Sequence, residues 1–443
     1  MPTADYRSIA DTVAQDIASG VLRPGDRLPP QRQFARRRGI ADSTAARVYA
    51  ELVRRGLAVG EVGRGTYVRA ADTGPQPALA DVRDTRVDLE LNFAILPGQA
   101  DRMAASMEQL LRSDLLAMSL RPVPVTGSSD AREAAARTLA RTGWTPDPRH
   151  LLFAGNGRQA IAGAIAALLS PGDRLGIEAY TYPVVLGIAS RLGITPVPLP
   201  VDDEGLVPEA LAEANVRAVY LQPTLHNPLG MTMSLARRER IAEVLDSRGM
   251  YAIEDTIYGF LHDELPPLAA FAPQWTVVVD SLSKRVAPGL TVGFAMPPAG
   301  LASRIATALR SGGWAAQHVA LAAATRWMTD GTVSALEKGK RTDASWRQEL
   351  AAEKLAGFAV RADPHAYHCW WQLPRPWRAD TFVAAAARHG IAVSPAAAFA
   401  VGGGQAPHAV RLALAAPPRD VLGNALETLA SLAREVPDAG GIE

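Results

Sequence analysis

Apolar residues recur along this chain in two rhythms, and the change of rhythm divides it. Over the first seventy positions the spacing is helical: Ile9, Val13 and Ile17 recur every four residues and predict one amphipathic helix ending at Gly20. Leu28-Pro29-Pro30-Gln31-Arg32 opens a second helix, with prolines in a first turn whose N–H groups lack partners anyway, and Gly39 ends it. Asp42 or Ser43 is the expected cap of a third helix, with Val48, Tyr49, Leu52 and Val53 facing inward and Gly56 closing it. Leu57 to Gly60 and Thr66 to Arg69 read as two short strands joined by residues 61–65. Three helices and a two-stranded ribbon predict a winged helix-turn-helix over residues 1–70.

From Val87 onward, short wholly apolar runs alternate with helical segments. That is the pattern of an α/β fold around a mostly parallel sheet, whose strands are covered on both faces. Leu151 to Ala154, Leu175 to Glu178, Val219 to Gln222, Tyr251 to Asp255 and Val277 to Val279 are the expected strands. Helices are expected at Ala160 to Leu169 and Ser234 to Ser247. Between the two rhythms lies Ala70-Ala71-Asp72-Thr73-Gly74-Pro75-Gln76-Pro77-Ala78. It is small, polar and proline-bearing, and reads as a semi-rigid linker over residues 71–86, with the large domain occupying residues 87–443.

Charge sharpens this division. Residues 1–70 hold twelve arginines, no lysine and seven acids, a net charge of +5, whereas the whole chain of 443 residues carries only +1. A basic module on a mildly acidic body points to a polyanionic partner. The single cysteine, Cys369, excludes an intrachain disulfide and suits a reducing compartment. Met1 to Arg7 carries an acid and no apolar core, unlike a secretory signal. The longest apolar run, Ala160 to Leu169, is too short to span a bilayer. A cytoplasmic protein is expected. The eight histidines are scattered and no cysteine/histidine cluster of metal-ligand spacing is read, so no metal site is expected.

Candidate chemistry centres on Ser281-Leu282-Ser283-Lys284-Arg285, which follows the apolar run Val277 to Val279 and precedes the turn Pro288-Gly289. Lys284 is the first of only four lysines in a chain that otherwise uses arginine for its positive charge. An amine condenses with an aldehyde and a guanidinium does not. Asn227, Asp255 and Lys284 all fall at expected strand ends, 28 and 29 residues apart, in the crevice where α/β proteins bind ligands. Gly155-Asn156-Gly157-Arg158-Gln159 joins a strand to a helix and offers free amides to a phosphate. Tyr182 lies just past another strand end, where an aromatic side chain can stack on a planar ring.

The segments G-V-L-R-P-G-D-R-L-P-P-Q-R, S-T-A-A-R-V-Y-A-E-L-V-R-R-G-L and G-R-G-T-Y-V closely resemble the DNA-reading domain of GntR-type bacterial repressors. The resemblance implies that Arg32, Ser43, Thr44 and Arg47 face double-stranded DNA, and that Arg64 and Gly65 approach the minor groove from the wing tip. Many members carry arginine where Asp42 stands.

The larger constellation, over roughly residues 87–435, resembles fold-type I aminotransferases, which bind pyridoxal 5′-phosphate (PLP). The resemblance implies that Lys284 carries the internal aldimine and that Asp255 pairs with the pyridine nitrogen. Asn227 and Tyr258 are then implied to bond the ring's phenolic oxygen, with Tyr182 stacked on its face. Ser281, Ser283, Gly157 and Arg158 are implied to hold the phosphate, and Arg411, in Ala409-Val410-Arg411-Leu412-Ala413-Leu414, to grip a substrate carboxylate. Where that family usually carries arginine seven or eight residues after the lysine, Thr291 and Val292 stand, leaving Arg285 or Arg158 to supply the charge.

A GntR-type winged helix joined to an aminotransferase-like domain resembles the MocR subfamily of bacterial transcription regulators. This implies a homodimer reading two half-sites and responding to PLP or to an amine effector. The alternatives are a working aminotransferase with an accessory DNA-binding domain, and a winged-helix scaffold whose large domain binds no cofactor.

Overall fold

The computed structural model describes residues 6–18, 21–22, 26–54, 57–61, 65–68, 87–112, 117, 120–402 and 406–435. The chain divides into two compact units, Met1–Gln76 and Pro77–Glu443. The expected linker over 71–86 lies outside the described residues, as do Gly20, Gly56, Arg64 and Arg69.

In the smaller unit, helices α1 (Tyr6–Ala18), α2 (Gln31–Arg38) and α3 (Asp42–Arg54) precede strands β1 (Ala58–Glu61) and β2 (Gly65–Val68). The strands pair antiparallel, from Ala58 opposite Val68 to Glu61 opposite Gly65. Gly39 ends α2 in the left-handed conformation, at φ 64°, and its N–H bonds back to carbonyls of the last turn. Ala10, Val13, Leu28, Phe34, Ala45, Val48, Tyr49 and Leu52 form the core.

Two details of α3 differ from the pattern reading. Asp42 is its first helical residue rather than a cap, because the carbonyl of Ala41 already accepts from the N–H groups of Thr44 and Ala45. Val53 is 46% exposed. The buried stripe runs Ala45, Val48, Tyr49, Leu52, and one further residue turns the helix about 100° off that stripe.

Among the described residues, the larger unit holds two large sheets and one two-stranded hairpin. The first is built from β4 (Leu152–Ala154), β5 (Arg174–Glu178), β6 (Thr195–Leu199), β9 (Ala218–Leu221), β10 (Tyr251–Asp255), β11 (Thr276–Ser281) and β12 (Gly293–Met296). Their spatial order is β4-β12-β11-β10-β9-β5-β6, with only β12 running against the rest. A small hairpin, β7 (Val201–Asp202) with β8 (Gly205–Leu206), follows β6. The second sheet contains β3 (Val87–Leu89), β13 (Ala359–Ala362), β14 (His368–Gln372), β15 (Ile391–Pro395) and β16 (Ala409–Ala413), in the order β13-β14-β16-β15-β3.

Strand β11 explains why its sequence is continuously apolar. Val277 and Val279 pack with helices Gly157–Leu168 and Ala302–Ser311 on one face, whereas Val278 packs with helices Ser129–Leu139 and His318–Thr329 on the other. All six residues of the strand are buried. Each valine so enclosed contributes about 1.5–3 kcal/mol of transfer free energy, which holds the strand end, and the lysine after it, at a fixed place.

Candidate cofactor site

A cavity of about 320 Å³ opens at the C-terminal ends of β9, β10 and β11. Its walls include Asn156, Gly157, Arg158, Tyr182, Asn227, Asp255, Tyr258, Ser281, Ser283, Lys284 and Arg411, so the structure brings together at one site residues scattered over 255 positions of sequence. Thr291 and Arg285 are not among the walls.

Lys284 sits in a single helical turn, Leu282–Arg285, directly after β11. The side chain of Ser281 caps that turn by accepting from the N–H of Ser283 at 3.2 Å. Lys284 Nζ donates to the carbonyl of Asn92 at 2.6 Å and lies 3.5 Å from the centroid of the Phe93 ring. Burial pushes its pKa well below the usual lysine value, and the positive charges of Arg411, Lys340 and Arg158 add to that shift. A neutral amine is thereby favoured, the form that attacks a carbonyl carbon.

Below the turn, Lys340 Nζ donates to the carbonyls of Lys284 at 2.9 Å and Val286 at 2.7 Å. Burial brings the Lys340 pKa down to about 7.

Asp255 ends β10 with both carboxylate oxygens engaged. Oδ2 accepts from Tyr220 at 2.6 Å and from Gln222 Nε2 at 3.1 Å, and Oδ1 accepts from the N–H of Ile257 at 3.0 Å. Burial nevertheless raises its pKa to about 6. A cation placed against it would restore the ionised form.

Arg411, in β16, is 6% exposed. Its guanidinium donates to Ser394 Oγ at 3.1 Å, to Asn227 Oδ1 at 3.4 Å and to the carbonyl of Glu90, while its Nε is buried with no hydrogen-bond partner. Tyr258 accepts from Asn92 Nδ2 at 3.0 Å, and Asn92 Oδ1 is likewise buried without a partner.

Helix Gly157–Leu168 begins at the cavity wall. Asn156 caps it by accepting from the N–H of Gln159 at 3.0 Å, leaving the amides of Gly157 and Arg158 outside the cap bond. A Cβ built on Gly157 would stand 3.2 Å from Ser281 Oγ, so glycine keeps this end of the cavity open.

Arg285 needs correction as a candidate phosphate contact. Its guanidinium is buried in ion pairs with Asp280, at 2.8 Å, and with Glu337, and these partners raise its pKa against the effect of burial. Of the two cations considered for the phosphate, Arg158 alone lines the cavity.

Sequence reasoning missed Asn92, Phe93 and Gln222, all of which line the cavity. Asn92 meets Lys284 through a backbone carbonyl, a contact that carries no side-chain signature. On the DNA-reading unit, Arg32, Ser43 and Arg47 are exposed and Thr44 is partly buried, while Gly65 begins β2. Arg64 lies outside the described residues.

The described family "Aminotransferase class I and II" matches residues 105–429, and "Bacterial regulatory proteins, gntR family" matches residues 5–68. YdeF of Bacillus subtilis, an uncharacterized HTH-type transcriptional regulator, is 30% identical over 419 residues, covering 93% of this chain and 90% of that protein. The vitamin B6 salvage pathway transcriptional repressor PtsJ of Salmonella typhimurium is 26% identical over 415 residues, covering 92% and 93% respectively. Among solved structures, LysN, an α-aminoadipate aminotransferase from Thermus thermophilus, superposes with a TM-score of 0.70 at 20% identity, covering 78% of this chain and 92% of that one.

The larger unit therefore has the fold of a class I and II aminotransferase. With its N-terminal gntR domain, the chain belongs to the family of HTH-type transcriptional regulators that carry an aminotransferase domain, the MocR arrangement. The cofactor of this domain is pyridoxal 5′-phosphate, and the cavity fits it. An amine, a buried acid at raised pKa and a glycine-lined helix end beside Arg158 supply the donors and charges that an aldehyde, a ring nitrogen and a phosphate require.

Proposed function

We propose that this protein is a transcriptional regulator that binds DNA through its N-terminal unit and senses PLP through the Lys284 amine, or an amino compound that would displace that amine from the bound cofactor. The observation that carries the reading is the Lys284 amine itself. It is held toward neutrality inside a cavity with Asp255 and Arg411, in a chain whose recognition helix exposes Ser43 and Arg47.

When bound, the cofactor supplies an electrophilic aldehyde carbon and an electron-withdrawing ring. Lys284 provides the attacking lone pair. Asp255 holds a proton on the ring nitrogen, and Asn227 and Tyr258 hold the phenolic oxygen. Tyr182 covers one ring face. Ser281, Ser283, the Gly157 amide and Arg158 bind the phosphate, and Arg411 binds a carboxylate on the incoming effector. The protein acts as a cytoplasmic homodimer that places two winged helices on two half-sites. Its affinity for the operator differs between the ligand-free and ligand-bound states, as thermodynamic linkage requires.

A second reading, an active aminotransferase, draws support from the same completeness of the site. One experiment separates the two. Purified protein with PLP and a panel of amino acids is followed for keto acid release and, in parallel, for operator binding. A sensor changes its operator affinity while releasing at most one equivalent of keto acid per chain. Accumulation over many turnovers establishes the enzyme, and operator binding indifferent to PLP and to every amine removes the sensor.

A further inference from the structure

Three side chains outside the cofactor cavity converge without an assigned role. His262 follows the segment Tyr258-Gly259-Phe260-Leu261 that leaves β10, and Asp363 and His365 occupy the turn between β13 and β14. One ligand atom from each residue lies within 4.8 Å of the others. Asp363 Oδ1 accepts from the N–H of His365 at 2.8 Å and lies 3.0 Å from His365 Nδ1. The two imidazole rings stand 4.7 Å apart, centroid to centroid, at 56°. His262 Nδ1 is buried and has no hydrogen-bond partner.

We propose that His262, Asp363 and His365 bind one divalent transition cation of the Zn²⁺ type. The chemistry of the donors selects the class. Two imidazoles and one carboxylate suit zinc, cobalt, nickel or copper, whereas calcium and magnesium demand mostly oxygen. Three protein ligands leave one coordination position open to water or an anion. Tetrahedral coordination at ordinary zinc–nitrogen distances sets donor atoms about 3.4 Å apart, so modest side-chain rotation closes the set. Coordination gives the orphaned His262 nitrogen the partner it lacks, and the carboxylate offsets half of the cation's charge.

The ligands are already brought together by packing. Tyr258, Phe260, Leu261 and Ala366 share one buried apolar cluster, which fixes the His262 segment against the β13–β14 turn. A bound cation therefore ties the segment that carries Tyr258 to the turn that leads into β14, the strand of His368. The proposal does not depend on the sensing function.

The test is a Co²⁺ titration of the untagged full-length protein, stripped of metal with a chelator and followed by visible d–d absorption, with Zn²⁺ as competitor. The expected result is one saturable site per chain, displaced by Zn²⁺. Affinity falls roughly tenfold or more in His262→Ala and in His365→Ala. Asp363→Asn keeps the oxygen that accepts from the turn and loses the charge, so it too weakens binding while leaving the fold intact. The PLP absorbance of each variant, measured separately, reports that the domain has folded. Equal Co²⁺ binding by the wild type and Asp363→Asn, or no saturable d–d band in the wild type, overturns the proposal and leaves a turn with packed rings.

Discussion

Ser283 Oγ and Thr291 Oγ1 are hydrogen-bonded at 2.9 Å. Position 291 is where a phosphate-binding arginine is expected in the aminotransferase pattern, and here it contributes a hydroxyl paired with another hydroxyl. With Arg285 held by Asp280 and Glu337, Arg158 is the one of these two guanidinium groups that lines the cavity and the one proposed to meet the phosphate. Arg158→Ala is accordingly expected to weaken PLP binding by about ten- to hundredfold, the loss of a charge-assisted bond of roughly 1.5–3 kcal/mol. Arg285→Ala instead leaves buried Asp280 without its closest cation and is expected to lower folding stability by about 3–5 kcal/mol. Fluorescence titration with PLP and urea unfolding of both variants distinguish the two roles; a large loss of stability in Arg158→Ala and none in Arg285→Ala would reverse them.

Cofactor capture is expected to weaken on acidification, for two reasons of the same sign. Asp255 has its pKa raised to about 6 by burial, so below that pH it is increasingly neutral and loses its attraction for a protonated ring nitrogen. Lys284 has its pKa lowered by burial, and protonation removes the lone pair that attacks the aldehyde. Affinity for PLP, read from absorbance titrations between pH 5 and pH 8, should therefore rise with pH. In Asp255→Asn the contribution of the carboxylate disappears, leaving a shallower rise and weaker binding throughout. A pH-independent affinity in the wild type contradicts both assignments.

Much of this site was legible because it sits where buried strands stop. Val277 to Val279 is an apolar run followed at once by Asp280 and Ser281, and Tyr251 to Asp255 ends in two acids; such strand ends have few places to go in an α/β fold. The residues that escaped notice act across long separations. Asn92 reaches Lys284 from 192 positions away through its main chain, and Gln222, the last residue of an expected strand, donates to Asp255 across 33 positions. The role of Arg285 turned on Asp280 and Glu337, whose proximity no local pattern encodes. The same holds for His262 and His365, which meet only because two segments share an apolar cluster.

Gly293 is expected to be intolerant of any side chain. A Cβ there would lie 2.2 Å from the carbonyl oxygen of Asn156 and 3.0 Å from the amide nitrogen of Gly157, both backbone atoms that cannot rotate away. Gly293→Ala must therefore displace β12 from the start of helix Gly157–Leu168, at a cost of about 1–3 kcal/mol or more. PLP affinity should fall along with thermal stability, because Asn156 and Gly157 line the cavity. Unchanged values of both would mean that this turn is looser than its geometry implies.

On the DNA-reading unit, Arg47 is exposed on α3 beside the buried Val48 and Tyr49. Arg47→Ala is expected to weaken operator binding without unfolding the unit, since the side chain takes no part in the core. If Arg47 grips a phosphate, the loss is nearly uniform across operator sequences and the salt dependence flattens by about one unit of slope; if it reads a base, discrimination at one position falls by about 1–3 kcal/mol. Gel-shift titrations at several salt concentrations distinguish these cases, and an unaltered affinity excludes Arg47 from the interface.

Lys340 links the stability of the large unit to pH. Its pKa is about 7 in the folded protein, against 10.5 for an exposed lysine. Between those values the unfolded chain binds more protons than the folded one, so this residue makes stability rise as pH increases from about 7 toward about 10. The slope contributed is at most about 1.4 kcal/mol per pH unit. Lys340→Met removes that contribution and also the donor shared by the carbonyls of Lys284 and Val286. Urea unfolding at pH 7 and pH 9 should thus show a smaller gain of stability with pH in Lys340→Met than in the wild type. The loosened Lys284 turn should also capture PLP more slowly. An identical pH response in the two proteins would show that Lys340 stays charged in the folded protein up to pH 9, and an unchanged capture rate would show that the turn keeps its shape without the amine beneath it.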